Sequence, residues 1–432
     1  DVCSSDLPFR ADFLDICLKR NREYPRCIPD DIGNLAIHPG VPKIGAESDP
    51  LAVVRPDPAD CILGNAPALA GRDVQDPQLG SVGTLDEDPV GTVVDKVEHL
   101  IELGQRIVQA QPEPDATIEY IPAIAHFIFY LSTFGIRPLA HRCLERLLDV
   151  AAPHMETDPV IRSWCLQAHS YFLRFLGADP WKVYLLNQGS VAAYELTRDL
   201  RFLAFKLGEY GSSVMEMGSW EDAERPLRRA VSLAQGLAEP FPLVHAQSAL
   251  LINLVRSSEP RNCEEAHRLA CELIPKLGSN VLYEGALRTM WGQNWALCGD
   301  LDAAENELRR AKSLLQTIPA QQFVAIAYLI PVLLKRGQAA GSLALAHEGL
   351  KLLESFGEFG DYLVRFLVAA AEAHQAVGAT EVAMTLLRKA KQQIELRASL
   401  IPGPEWRARF LSLPENVRAA ELGRLWPEPG LR

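Results

Sequence analysis

From Ile118 onward, apolar residues return every three or four positions, the spacing that gathers them on one face of an α-helix. The runs come in twos, joined by short polar turns. They predict helix pairs over 118–153, 158–197, 199–237, 240–276, 279–316, 318–354 and 358–397. A further helix is predicted over about Val90–Gln109. Pro122, Pro159, Pro242 and Pro319 fall near predicted helix starts, where a missing N–H costs nothing. Pro226 lies in the first turns of a second helix and is tolerable there. Pro331 should kink its helix or mark a boundary.

Two of these pairs share a sequence. Gly218–Leu233 lies on Gly299–Leu314 without a gap, 81 residues apart, with the Gly, an Ala-Glu pair, a Leu-Arg-Arg-Ala run and a Ser-Leu pair coinciding. A weaker copy begins at Gly378, 79 residues after the second. Self-similarity at a fixed period marks a stacked repeat. The glycine can take the left-handed conformation that ends one helix. Asp222-Ala223-Glu224 and Ala303-Ala304-Glu305 then set a carboxylate near the positive end of the next. Leu227 with Ala230, and Leu308 with Ala311, share a face. Each unit reads as helix, tight turn, helix.

Trp291, Gly292, Trp295, Gly299, Ala304, Leu308 and Ala311 together resemble the tetratricopeptide repeat. Tyr210, Gly211, Gly218, Ala223, Leu227 and Ala230 follow it with Val214 in place of the aromatic, and Gly378, Ala383, Leu387 and Ala390 carry its second half. The turn residues Gly135, Gly177, Gly218, Gly299, Gly337 and Gly378 lie about 40 apart or twice that, against about 34 in the usual repeat, so longer helices are implied. The resemblance implies an all-α fold: a right-handed superhelical solenoid of about seven helix pairs. First helices would line its concave side. One position per pair would face that groove: Phe129, Tyr171, Ser212, Val255, Gln293, Pro331 and Glu372, with Arg174 one turn past Tyr171. Of these, Tyr171, Arg174, Ser212, Gln293 and Glu372 are the candidate partner-binding residues. The series is mixed and mostly uncharged, which suits a helical or apolar partner segment better than a peptide carboxylate.

The domain reading is an irregular segment or linker over 1–88, an N-terminal helix over 89–117, the repeat array over 118–400 and a helical cap over 401–432. Residues 1–88 are dense in Pro, Asp and Gly and lack sustained helical period, a composition that argues for irregular or mobile structure. The chain does not open on Met, and Asp1–Leu7 resembles a translated sequencing adapter, so an upstream part is expected to be missing. In the cap, Arg407, Phe410, Leu411, Pro414, Glu415, Asn416 and Arg418 resemble the tail of large bacterial signalling proteins. Those join a serine/threonine kinase or nucleotide-binding ATPase module to a tetratricopeptide array.

Charge and chemistry narrow the function further. The net charge of −12 gives no general attraction to nucleic acid or an anionic membrane. Local basic runs (Arg225, Arg228, Arg229; Arg309, Arg310, Lys312) read as solvated outer faces of second helices. The most apolar stretch, Ile121–Phe134, is short and carries His126, which suits a buried helix rather than a membrane span. Nine scattered cysteines without a C-x-x-C read as reduced thiols in a cytoplasmic protein. Cys165, Cys271 and Cys298 are expected to pack in place of small core residues, and Trp291 and Trp295 to fill the interior of a pair. No Gly-Lys dipeptide occurs, so the phosphate-cradling loop of nucleotide-binding enzymes has no counterpart. No catalytic residue, metal or cofactor is expected. The sequence therefore points to a non-catalytic interaction and sensing scaffold. Its partner would be a protein or peptide in the concave groove, including an upstream catalytic domain of its own. The alternatives are an effector-sensing array of a transcription regulator that binds a small molecule, and an α/α-toroid enzyme with two facing carboxylates.

Overall fold

The computed structural model describes residues 114–426, apart from 177–178, 239, 260–261, 278–279 and 358–359, together with 102, 104 and 105. The readings of residues 1–88 and of the helix at Val90–Gln109 therefore fall outside the described residues, or nearly so. Sixteen α-helices follow among the described residues. Fourteen form seven antiparallel pairs: α1 (Pro114–Thr133) and α2 (Arg137–Ala151); α3 (Pro159–Leu176) and α4 (Pro180–Glu195); α5 (Leu200–Glu216) and α6 (Trp220–Gln235). Next come α7 (Pro240–Arg256) and α8 (Cys263–Leu273); α9 (Val281–Cys298) and α10 (Leu301–Leu314); α11 (Pro319–Lys335) and α12 (Ala339–Phe356); α13 (Leu363–Ala376) and α14 (Thr380–Ser399). Two short helices end the chain, α15 (Pro404–Leu411) and α16 (Pro414–Leu425). The fold is the all-helical, tetratricopeptide-like solenoid that the pattern implies.

The repeat residues earn their places by close packing. A Cβ at Gly211 would run into the Leu227 side chain, and one at Gly292 into Leu308. In these two pairs the small residue of the first helix is thus the hole into which the bulky residue of its partner fits, as close packing of the interior requires. Helix starts are capped locally: Asp179 accepts from the Lys182 N–H at 2.9 Å and Asp300 from the Ala303 N–H at 2.9 Å. Such caps each stabilise a helix by about 1 kcal/mol.

The gap of twice the usual spacing between Gly218 and Gly299 has a structural explanation. Ser258 sits midway, in the turn between α7 and α8, with φ of 57°, the left-handed region that the repeat elsewhere gives to glycine. A Cβ there costs about 1–2 kcal/mol. Ser258→Gly is expected to raise stability by about 1 kcal/mol in urea unfolding; an unchanged or lowered midpoint would show that the turn is not strained.

Three sequence expectations need correction. Pro122 does not start a helix: α1 begins at Pro114, so Pro122 lies inside it. Pro331 does not bound a helix either, since α11 runs through it to Lys335. Cys271 and Cys298 are exposed rather than packed in the core, whereas Cys143 and Cys165 are buried. The apolar environment pushes the Cys143 and Cys165 thiols up to about 12.

First helices of successive pairs pack on one another, α1 on α3, α5 on α7, α7 on α9, α9 on α11 and α11 on α13. They form the inner layer and the second helices the outer one. The outer basic runs are held by acids of their own and of neighbouring helices. Arg228 pairs with Glu224 at 2.6 Å and Glu265 at 2.9 Å, Arg229 with Glu195 at 2.6 Å, and Lys312 with Glu348 at 2.8 Å. These are exposed pairs, worth at most about 1 kcal/mol each, and they leave the inner layer as the chemically distinct face.

Candidate functional site

The inner layer closes on itself. Helix α1 touches α11, and α3 touches the short 3₁₀ turn Gly360–Tyr362 that precedes α13. A Cβ on Gly360 would meet the backbone carbonyl of Arg174, and one on Gly135 the ring of Phe356. Residues about two hundred positions apart thus come into contact, and the first two pairs meet the last two. The two ends of the inner layer are therefore in contact with each other.

The closed inner layer carries charge. Arg174 on α3 pairs with Glu209 on α5 at 3.5 Å and with Asp361 at 3.3 Å. Asp361 also takes Arg397 of α14 at 2.9 Å, and Glu209 also faces His245 of α7 at 3.3 Å. Deeper, Arg256 of α7 pairs with Glu216 of α5 and, at 3.4 Å, with Glu415 of α16. Arg365 of α13 reaches the same Glu415 carboxylate at 2.6 Å. Burial opposes charge on Arg174, yet the Asp361 and Glu209 carboxylates outweigh it and hold the guanidinium's pKa up. Burial likewise works against an ionised Glu209, but His245 and Arg174 keep its carboxyl below the usual range. Four arginines and four acids from six helices and the 360–362 turn therefore neutralise one another where water is scarce. Such a cluster stabilises less than apolar packing of the same volume would, and its geometry couples the helices that share it.

The groove positions read from sequence fall in different places. Tyr171 is 2% exposed, with its ring edge-on to Phe129 at 5.0 Å. Arg174 is the hub just described. Ser212 is buried, and its hydroxyl donates to the Gly208 carbonyl at 3.0 Å. Gln293 is half-buried on α9, away from the cluster. Glu372 accepts from Arg418 of α16 at 2.6 Å. Tyr171 and Arg174 come together, while Ser212, Gln293 and Glu372 do not join them. Glu209, Glu216, Arg256, Asp361, Arg365 and Arg397 escaped sequence reading, and Glu415 was read only as part of the tail motif. The legible signal was a charged residue at an apolar-face position of a first helix, as at Lys206, Glu209 and Glu216 in α5.

Around Arg174 the surface is aromatic. Phe129 and Phe175 are half-buried, with ring centroids 5.6 Å apart, and Phe129 lies 5.4 Å from Tyr130. Arg174, at 27% side-chain exposure, is the most accessible of the four cluster arginines. An apolar patch with one cation is what an amphipathic segment bearing an acid would cover.

The described residues contain no group of three or more His, Cys, Asp or Glu placed to hold a metal ion. His267 lies beside exposed Cys271, Nε2 to Sγ at 3.5 Å. However, the Trp291 indole N–H donates to His267 Nδ1 at 3.1 Å. That leaves the imidazole proton on Nε2, so the ring offers a donor to the sulfur and no base. Trp291 and Trp295 flank this histidine half-buried, packed on the core from its edge. No helix among the described residues is long and apolar enough to cross a membrane.

Burial holds the His126 imidazole down to about 4, with the neighbouring Lys206 pushing the same way and Glu209 opposing. The unfolded chain takes up this proton near 6.5 and the fold resists it. Stability is therefore expected to fall as pH drops from 6.5 towards 4, by about 2 kcal/mol. His126→Leu should flatten that limb of a urea-unfolding pH series; an unchanged limb would assign it elsewhere.

No family model matches the chain, and no curated protein matches it in sequence. Solved structures do match. A Rap protein complexed with competence and sporulation factor superposes with a TM-score of 0.51 at 13% identity, over 78% of this chain and 92% of that one. NprR in complex with its cognate peptide NprX gives 0.49 at 11%, over 78% and 100%. The Cut9–Hcn1 hetero-tetramer of APC/C gives 0.46 at 13%, over 78% and 59%. The Rap likeness is one of fold: a tetratricopeptide-like helical array.

Proposed function

We propose that the chain is a non-catalytic interaction and sensing scaffold whose inner layer takes a segment of a partner protein. The observation that carries this reading is the Arg174 cluster. It ties the two ends of the array through ion pairs as well as apolar packing, next to half-buried aromatic rings. A partner helix presenting apolar residues and one carboxylate would cover Phe129, Tyr130 and Phe175 and reach Arg174. Binding there would shift the balance between closed and open arrays by its differential affinity for the two, which is what sensing requires. The tail's resemblance supports reading this scaffold as the regulatory part of a protein that also carries a kinase or nucleotide-binding ATPase module. That a Rap protein and NprR are found with a bound factor or peptide agrees with a peptide-sized partner.

The test is selection of helical peptides from a random library on the full chain, followed by titration against variants. Arg174→Ala leaves Asp361 with Arg397 and Glu209 with His245, so the fold should persist. Selected peptides are expected to carry an acid and to lose at least tenfold in affinity for the variant. Failure of any peptide to saturate the chain below about 100 μM, an affinity of roughly −5 kcal/mol, would remove the reading.

A further inference from the structure

The tail does more than cover the last pair. Its helix α15 lies across the far side of the inner layer. The Trp406 ring packs against Trp181 and Tyr184 of α4, at centroid distances of 5.9 and 5.2 Å. The Arg409 guanidinium donates to the Ser219 hydroxyl and to Asp222, both at 2.6 Å, at the start of α6. The Arg409 carbonyl lies against the Gly218 turn so closely that a Cβ there would collide with it. Five residues after Phe410, Glu415 enters the deep pair of Arg256 and Arg365. The contacts to α4 and α6 are half-exposed: the Arg409 and Asp222 side chains keep 36% and 42% of their surface. Exposed ion pairs of this kind are weak and readily exchanged for others.

We propose that residues 404–415 are an internal ligand, a clasp that occupies an interaction surface formed by Trp181, Tyr184, Ser219, Asp222 and Arg256. The partner this surface fits is a helical segment of the same chemistry: an aromatic residue, an arginine three positions on, a second aromatic four positions on, and an acid nine positions on. Such a segment displaces the clasp and releases the seam between the early pairs and the last. The inference rests on the scaffold reading and deepens it, because it gives the closed array a defined competitor. Tethering favours the clasp through its high effective concentration, so a free segment competes only when the clasp is weakened or the segment binds more tightly.

Two turn glycines make the test selective. Gly218 and Gly299 occupy equivalent repeat positions, with φ of 76° and 90°. Alanine strains the backbone at both, but only at Gly218 does it also strike the clasp, since nothing lies within 4 Å of a Cβ at Gly299. In the full chain, Gly218→Ala is expected to speed amide exchange of residues 404–416 at least tenfold over wild type, with Gly299→Ala leaving it unchanged. The double variant Trp406→Ala/Arg409→Glu keeps the α4–α6 surface and removes the clasp's grip on it. A fluorescein-labelled peptide of residues 402–418 should bind that variant at least tenfold more tightly than wild type. Equal exchange in both glycine variants, or equal peptide binding by clasped and unclasped chains, overturns the proposal and leaves α15 a plain structural end. If the double variant does not fold, the glycine pair decides alone. Peptides that depend on Arg174 would still bind in either case, so the scaffold reading stands or falls separately.

Discussion

Glu415→Ala is expected to cost about 3–5 kcal/mol of stability, a large effect for one residue of the tail. Glu415 is 6% exposed and sits between two guanidinium groups from different helices, Arg256 and Arg365. Burial by itself would raise its carboxyl pKa, but Arg365 and Arg256 hold it below the usual carboxylate range. Removing the carboxylate leaves two buried cations, of which only Arg256 retains a close acid, Glu216. The cost is thus that of an uncompensated charge. The same chemistry fixes an acid limb. A carboxyl whose folded pKa is depressed contributes stability above its unfolded value near 4.3 and loses it as pH falls through the folded value. Urea unfolding of Glu415→Ala at pH 7, with Arg365→Met added on the same background, checks the argument. The second change should recover much of the loss by removing the stranded charge. A loss below about 1 kcal/mol, or no recovery, would mean that the pair contributes little.

The opposite sign is expected at Lys206. This side chain is fully buried in α5, with Nζ 3.3 Å from the centre of the Trp164 ring and no hydrogen-bond partner for its ammonium donors. Burial pushes its pKa well down and outweighs Glu209, which pulls the other way. Lys206→Met keeps the aliphatic stem and removes the unsatisfied amine, whose burial costs about 1–3 kcal/mol. The methionine variant should therefore be more stable than wild type by that amount at pH 7. The pH dependence follows from the same shift. Between the lowered folded pKa and the unfolded value near 10.4, the unfolded chain binds the extra proton. Wild-type stability should climb with pH across that window, and the variant should lose the climb. Unfolding midpoints at pH 7 and 9.5 decide the matter. A destabilised methionine variant would show that the Lys206–Trp164 contact holds the fold rather than burdening it.

Both effects belong to groups that sequence reading placed on no site. The pairs themselves were legible because their signal is local. A period of three to four, a glycine turn and the Gly211–Leu227 or Gly292–Leu308 fit are all specified within about forty residues. The turn at Ser258 shows the limit of even that signal: its backbone takes the glycine conformation, but its side chain hides the repeat from a motif comparison. The candidate groove fared differently. Tyr171 and Arg174 were picked as free surface, and the structure makes one a buried ring and the other the hub of an ion-pair cluster.

Legible in the chain alone were a helical array of about seven pairs, the small and bulky repeat positions of its clearest units, and the outer and inner faces of its helices. Only the tertiary structure decided that the inner face closes, that Arg174 meets Asp361 across 187 positions, and that Arg409 reaches back to Asp222 across the same separation. The reason is cumulative geometry. Each pair sets a small rotation relative to its neighbour, fixed by side-chain volumes at every interface. The sum over five or six interfaces, which no single stretch of sequence encodes, determines whether the two ends of the array meet.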